Sequence, residues 1–265
     1  MTLPPIFYHH FKTPLPYART LQLQERIHAH QLALRRQSPS SHPDLLLLLE
    51  HRPVYTAGRR QTEDETADES LRLKGIGADF ERTQRGGQLT FHGPGQLVGY
   101  GLLDLARRTP VLGIRDYICQ LQTALKLHLS EAHGIETGSS EHTGVFLDEK
   151  TKVASIGVQV RHRLTNHGFA MNITREPEKW FDEVVACGLQ DVRAGSIAGA
   201  TGKNVNVEGE VEGVVGRLGR VMGRDVERFE LKKGDELGEM IMELEEHARG
   251  LETCPSTPVR SARVQ

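Results

Sequence analysis

A chain of 265 residues and 29.5 kDa has room for one large domain or two small ones, with a core that needs no disulfide. Apolar residues make up 37%, and 27 glycines lift the total into the range of folded proteins, which excludes wholesale disorder. The 33 basic and 35 acidic residues leave a net charge of −2, which excludes a general nucleic-acid coat, and the longest apolar run, Leu45 to Leu49, is far below the roughly 20 residues of a membrane span.

The first twenty residues contain no acidic side chain, and read either as a remnant of an organelle transit peptide or as an ordinary frayed start. Leu21 to Arg35 reads as a helix, with Leu21, Ile27, Leu32 and Leu34 among polar residues. A Ser/Pro/His linker over 38–43 leads into Asp44 to Glu50, a continuous apolar run of strand length expected to be buried on both faces. Residues 61–70 are acidic, without periodicity, and read as an exposed loop; Leu97 to Leu103 returns to strand character. Between Gly113 and Gly134, Ile114, Tyr117, Ile118, Leu121, Leu125 and Leu129 fall on one helical face, with Gly134 as the C-cap.

Val145–Leu147 and Lys152–Val160 read as a hairpin, and Phe169–Ile173 as a third strand able to pair with it. From Asn204 onward, Val207, Val211, Val214, Val215, Leu218, Val221 and Met222 recur at helical spacing, as do Leu237, Met240, Ile241 and Leu244. Helices interleaved with strands predict an α/β (α+β) domain around a mixed sheet. The expected organisation is a single catalytic domain over 1–250, with 204–250 as a possible helical extension and a Pro/Ser/Arg-rich disordered tail over 251–265. Three widely spaced cysteines, Cys119, Cys187 and Cys254, argue for a reducing compartment. The thirteen histidines show no recognised ligand spacing, so no metal and no other cofactor is expected.

Four segments carry chemistry. Arg85 to Gln96 (RGGQLTFHGPGQ) packs four glycines, a proline and a histidine into twelve residues before a strand. Glycines admit a ligand close to the backbone, and free N–H groups can hold a carbonyl or anion, with Arg85 as a charge at the mouth; a glycine-rich turn is the plainer account. Lys152 opens an apolar strand, on the face shared by Ala154, Ile156, Val158 and Val160. Desolvation there lowers a lysine's pKa enough to accept a thiol proton, whereas a solvent-directed lysine stays inert. Gly157 in mid-strand marks a close backbone approach or a bulge. His167-Gly168 leads towards a strand, either as a ligand contact or as a turn. Cys187-Gly188 ends an apolar stretch; a cysteine there is a nucleophile only beside a base, and otherwise a small buried apolar residue.

Together these segments resemble the octanoyltransferases, or lipoyl(octanoyl) transferases, of lipoate biosynthesis. The resemblance runs from about Leu45 to Ile197: the EHRPVYTAGRR block at 50–60, RGGQLTFHGPGQLV at 85–98, KVASIGV from Lys152, HGFAMNI from His167, and Cys187-Gly188, all in order. It implies the fold of the biotin/lipoate protein ligase catalytic domain. It also implies transfer of octanoyl from an acyl carrier protein to a lysine on lipoyl domains of 2-oxoacid dehydrogenases and the glycine cleavage H protein. In this family's terms Cys187 is the nucleophile that carries the acyl thioester and Lys152 the residue that activates it. Arg85, Gly86, Gly87, Gln88, Leu89, Thr90, Phe91, His92, Ser155, Ile156, Gly157, Gly168, Phe169 and Ala170 would line the acyl pocket. A mitochondrial matrix setting is expected if the source is eukaryotic, the cytoplasm otherwise.

Two departures stand out: Ala186 where the family usually has proline, and Gly195-Ser196-Ile197 where a Thr-Ser-Leu-like triplet is commoner. Neither removes a reacting group. The competing readings are an ATP-dependent lipoate or biotin ligase on the same fold, and a catalytically inactive acyl-binding scaffold.

Overall fold

The computed structural model describes residues 3–38, 41–184 and 191–259. Its centre is an eight-stranded mixed sheet formed by β1 (Ile6–His10), β2 (Asp44–Leu49), β6 (Gln96–Leu102), β7 (Val145–Phe146), β8 (Thr151–Arg161), β9 (Leu164–Asn172), β10 (Arg193–Ala194) and β11 (Val226–Arg228). The strand order is β10-β8-β9-β6-β2-β1-β11, with β7 on β8. The β8–β9–β6–β2 run is antiparallel, while β1 lies parallel to both β2 and β11.

The leucine run becomes β2 because both faces of this sheet are covered. Leu46 and Leu48 point into the core under α3 (Ile114–His133) and α6 (Val207–Met222). Leu45, Leu47 and Leu49 point into the core under α1 (Tyr17–Gln37) and α7 (Glu236–Arg249). Period-two alternation delivers one apolar set to each layer, so every position must be apolar. Gly134 ends α3 with φ 68°, as its C-cap reading requires.

A second sheet, in the order β4-β3-β5, comprises β3 (Val54–Ala57), β4 (Asp79–Arg82) and β5 (Thr90–His92). It packs with α2 (Ala67–Gly75) and α4 (Glu176–Phe181) around Tyr55, Leu73, Phe91 and Trp180. A short helix, α5 (Ile197–Thr201), follows β10, and Ser196 caps it through Gly199 N–H.

Several expectations change. The start is not frayed from Leu3 onward: Ile6 and Tyr8 of β1 are buried in the central sheet, and five residues were too short to announce it. The buried face of α1 is Leu23, Ile27 and polar partners rather than Leu21, Leu32 and Leu34, because Gln31 donates to the Pro43 and Leu102 carbonyls. Residues 61–70 hold a 3-10 turn at Asp64–Thr66 and the start of α2, whose single buried residue, Leu73, leaves no periodic signature. Asp68 and Glu69 at its start and Arg72 and Lys74 at its end suit the helix dipole.

Residues 204–250 are not an appended lobe. Val207, Val211, Val214, Val215, Leu218 and Met222 share a core with Leu121, Leu125 and Leu129 of α3, and β11 extends the main sheet. The stretch 251–259, read as disordered, lies across the molecule. Arg52 donates to the Glu252 carbonyl at 2.5 Å, Trp180 Nε1 to the Ser256 carbonyl at 3.0 Å, and Val259 N–H to the Ile76 carbonyl at 2.9 Å. Backbone pairing of this kind leaves no compositional trace.

Candidate active site

The site forms where the two sheets meet. Gly157 of β8 stands opposite Gly168 of β9, and a Cβ on Gly168 would lie 2.1 Å from the Gly99 carbonyl oxygen of β6. A Cβ on Gly157 would lie 3.1 Å from the Gly86 carbonyl, so the glycine-rich loop is packed directly on the strand, as the close-approach reading of Gly157 expects. His167 precedes this point with φ 61°, inside β9 rather than in a turn.

Arg85 corrects its sequence reading. It is 7% exposed and does not stand as a free charge at the mouth. Its guanidinium donates to the Thr56 carbonyl at 2.5 Å, to Thr56 Oγ1 at 2.8 Å, to the Gln88 carbonyl at 2.9 Å and to the Gly86 carbonyl at 3.0 Å. Five donors in a rigid fork suit carbonyls that converge from the loop and from β3. Arg85 thus holds the loop in shape as well as lining the site.

A cavity of about 450 Å³ opens between the loop, β8 and β9. Arg85, Gly86, Gly87, Gln88, Thr90, His92, Lys152, Ser155, Ile156, Gly157, Gly168, Phe169 and Ala170 all line it. Leu89 and Phe91 do not: they point to the opposite side of β5, into the cluster of Tyr55 and Trp180, where the Phe91 ring stacks on Trp180 at 5.1 Å. The pleat makes this partition unavoidable once Thr90 and His92 face the cavity. His167 lines the cavity too, as the ligand-contact reading of His167-Gly168 allows, whereas the sequence reading missed Tyr17 and Tyr100, and Ile114 and Ile118 from the first turns of α3. Arg59 and Arg60 stand at the rim, both exposed, whereas Arg161 is paired with Glu25 at 2.5 Å and lies elsewhere.

Apart from Arg85, the buried polar side chains in and beneath this lining are neutral groups. Leu15 carbonyl accepts from His51 Nδ1 at 3.0 Å, which leaves Nε2 to accept from the Tyr100 hydroxyl at 2.6 Å. His92 Nδ1 donates to Gln96 Oε1 at 2.8 Å; the Gln96 amide donates to Asn172 Oδ1 at 2.9 Å, and Asn172 to the Gly195 carbonyl at 2.9 Å. Burial lowers His51 to about 4 and His167 to about 3, lowers His92 well below its ordinary value, and raises Tyr17 and Tyr100. The histidines are therefore uncharged, and the Arg85 guanidinium is already held by carbonyls, so an aliphatic chain can enter past these groups without stripping water from them.

These shifts predict acid sensitivity. His51 and His167 are neutral in the fold, while the unfolded chain gains their protons once the pH falls below 6.5. Stability is therefore held above that pH and lost as it falls towards 4 and then 3. At a limiting slope of about 1.4 kcal/mol per unit for each ring, the two together cost about 3 kcal/mol between pH 6.5 and 5. Urea midpoints measured across that window should fall accordingly; a flat profile would show the rings to be solvated.

Lys152 lies at one end of the cavity, with Nζ 5.5 Å from the Phe146 ring centroid. It also lines a smaller adjoining cavity of about 160 Å³ with Ser155, Asn172, Val184 and Val192. Val184 and Asp191 flank the segment that carries Cys187, and Cys187 itself lies outside the described residues. Cys119 is exposed on α3, and burial pushes the Cys254 thiol up.

Residues 16–218 match the model of the lipoyl protein ligase A/B catalytic domain. An octanoyltransferase of Leifsonia xyli is 35% identical over 80% of this chain and 90% of its own. The mitochondrial octanoyl-acyl-carrier-protein:protein N-octanoyltransferase LIPT2 of Danio rerio is 40% identical over 66% of this chain and 74% of its own. Among solved structures, lipoate-protein ligase A bound with ATP superposes with a TM-score of 0.62 at 14% identity, covering 93% of this chain and 95% of that one, which shows the shared fold. The glycine-rich loop and the lysine strand meet at one cavity, and the chain belongs to the octanoyltransferase family of the lipoyl protein ligase A/B fold.

Proposed function

We propose that the chain moves an octanoyl group from an acyl carrier protein to the lysine of a lipoyl domain through a thioester on Cys187. The observation that carries this reading is the cavity between the glycine-rich loop, β8 and β9, with Lys152 in its lining and also in that of the adjoining cavity, which Val184 and Val192 reach from either side of the cysteine segment. Lys152 takes the thiol proton. The thiolate attacks the donor thioester, the carrier thiolate leaves and is protonated, and the acyl chain rests in the cavity. The acceptor lysine, as a free amine, then attacks the enzyme thioester; an amide forms and the Cys187 thiolate leaves. Both steps start from an activated acyl group, so no nucleotide enters. A cysteine suits both because a thiolate is a good nucleophile and a good leaving group.

Exposed Arg59 and Arg60 at the rim favour an acidic donor protein, with lipoyl domains of 2-oxoacid dehydrogenases and of the glycine cleavage H protein as acceptors. The mitochondrial setting in the zebrafish relative's name supports a location in the mitochondrial matrix.

The deciding experiment offers octanoyl-carrier protein and a lipoyl domain with no nucleotide. Octanoylation should proceed, and the apparent donor affinity should weaken as salt screens the rim. Strict dependence on ATP with free octanoate would instead establish the ligase reading.

A further inference from the structure

Away from the acyl cavity, two histidines from α3 and a glutamate from the first turn of α6 converge. His128 Nε2 lies 2.7 Å and His133 Nε2 2.8 Å from the same oxygen, Glu210 Oε2. The three donor atoms fall within 4.8 Å of one another, and the two rings meet edge-on at 5.4 Å. The side chains are nearly closed to solvent, at 1% exposed for His128, 8% for His133 and 9% for Glu210.

We propose that His128, His133 and Glu210 form a binding site for a zinc-class divalent metal ion that clamps α6 to α3. Two imidazoles and one carboxylate suit zinc and its first-row neighbours, and exclude calcium or magnesium as the natural occupant. Three protein ligands leave a fourth position for water, and His133, at the edge of the seam, gives the ion its way in. Metal bonds of about 2.0–2.1 Å in tetrahedral geometry need the donor atoms about 3.3 Å apart. The two His–Glu pairs reach that separation by opening about half an ångström, and the ring nitrogens, within 4.8 Å of each other, settle to the same spacing around the ion.

Glu210 Oε2 accepts from both rings, so each ring carries a hydrogen on Nε2, and a metal ion would take the place of those two hydrogens. His128 Nδ1 lies near Gly213 of α6 and has no hydrogen-bond partner among the described residues. The site therefore lacks the outer acceptor that usually orients a metal-bound histidine, an omission worth about 10–100-fold in affinity, which points to a moderate-affinity site.

The placement assigns it a structural role. Ile118 of α3 lines the acyl cavity, and His128 follows ten residues later, about 15 Å along the helix. The ion would fix the α3–α6 seam, the contact that makes residues after 204 part of the core.

The test uses the full chain, stripped with a chelator and titrated with zinc chloride against a chromophoric competitor, then with cobalt(II) chloride. One equivalent of zinc should bind, with intense visible cobalt bands of a tetrahedral site and a higher thermal midpoint. Glu210→Gln and His133→Asn keep the shape of the seam and should weaken binding about 100-fold or more, abolishing the bands and the thermal gain. Equal zinc affinity in the parent chain and both variants would place the ion on other histidines and overturn the proposal. Absence of stoichiometric binding by the parent chain would overturn it too.

Discussion

Cys187→Ala is expected to remove octanoyl transfer to below about one part in 10⁴ of the parent rate, because the reaction loses the group that bears the acyl chain. Incubation of the parent enzyme with octanoyl-carrier protein should add one octanoyl mass to the peptide holding Cys187, cleavable by hydroxylamine. The alanine variant should show no adduct. Cys119 and Cys254 are internal controls, the first exposed and outside the cavity, the second with its thiol pushed up by burial. An adduct on either would refute the assignment. Lys152→Met extends the test to the activating group. It should slow transfer by about 10²–10⁴-fold and shift the pH profile of Cys187 alkylation upward. An unchanged profile would leave Lys152 as a wall residue of the cavity.

Arg85 is the position where a single substitution should damage both stability and substrate binding. Arg85→Ala leaves the Thr56, Gly86 and Gln88 carbonyls without the donor that now joins them. A buried acceptor left unmade costs about 1–3 kcal/mol, so a loss of about 3–5 kcal/mol is expected, a large part of a typical domain's stability. Transfer should fall by more than about 100-fold, chiefly through a raised KM, since the released loop forms one wall of the cavity. Arg85→Lys keeps the charge but cannot bridge three carbonyls in a fixed plane, and should recover stability without recovering KM. Unchanged thermal midpoint and KM in the alanine variant would show that the loop supports itself.

The parts of the fold legible in the sequence are those whose signal is local and strong. Five leucines in a row left β2 no reading but a strand covered on both faces. Six apolar positions on one face made α3 visible to within a residue at each end. Strands β1, β3 and β4 gave no such signal, because each is four or five residues long and becomes a strand only when a neighbour supplies its hydrogen bonds.

Of the site, the sequence determined the chemistry-bearing segments and their order: the glycine-rich loop, the lysine strand, the His-Gly strand and the cysteine. Their glycines were readable because a Cβ is forbidden where backbones touch, as at Gly168, and crowded where they nearly do, as at Gly157. Only the tertiary structure decided which residues of that loop face the acyl cavity and which face Trp180, since alternation gives two faces without saying what lies against either. Only it showed that Arg85 turns inward, that Tyr17 and Tyr100 line the cavity, and that residues 252–259 lie across the molecule. It alone brings Glu210 to His128 and His133, which stand 82 and 77 residues away along the chain. Spacing reveals a cluster when one helix or turn holds all its members; a cluster built across a helix–helix seam exists only once both helices have been packed.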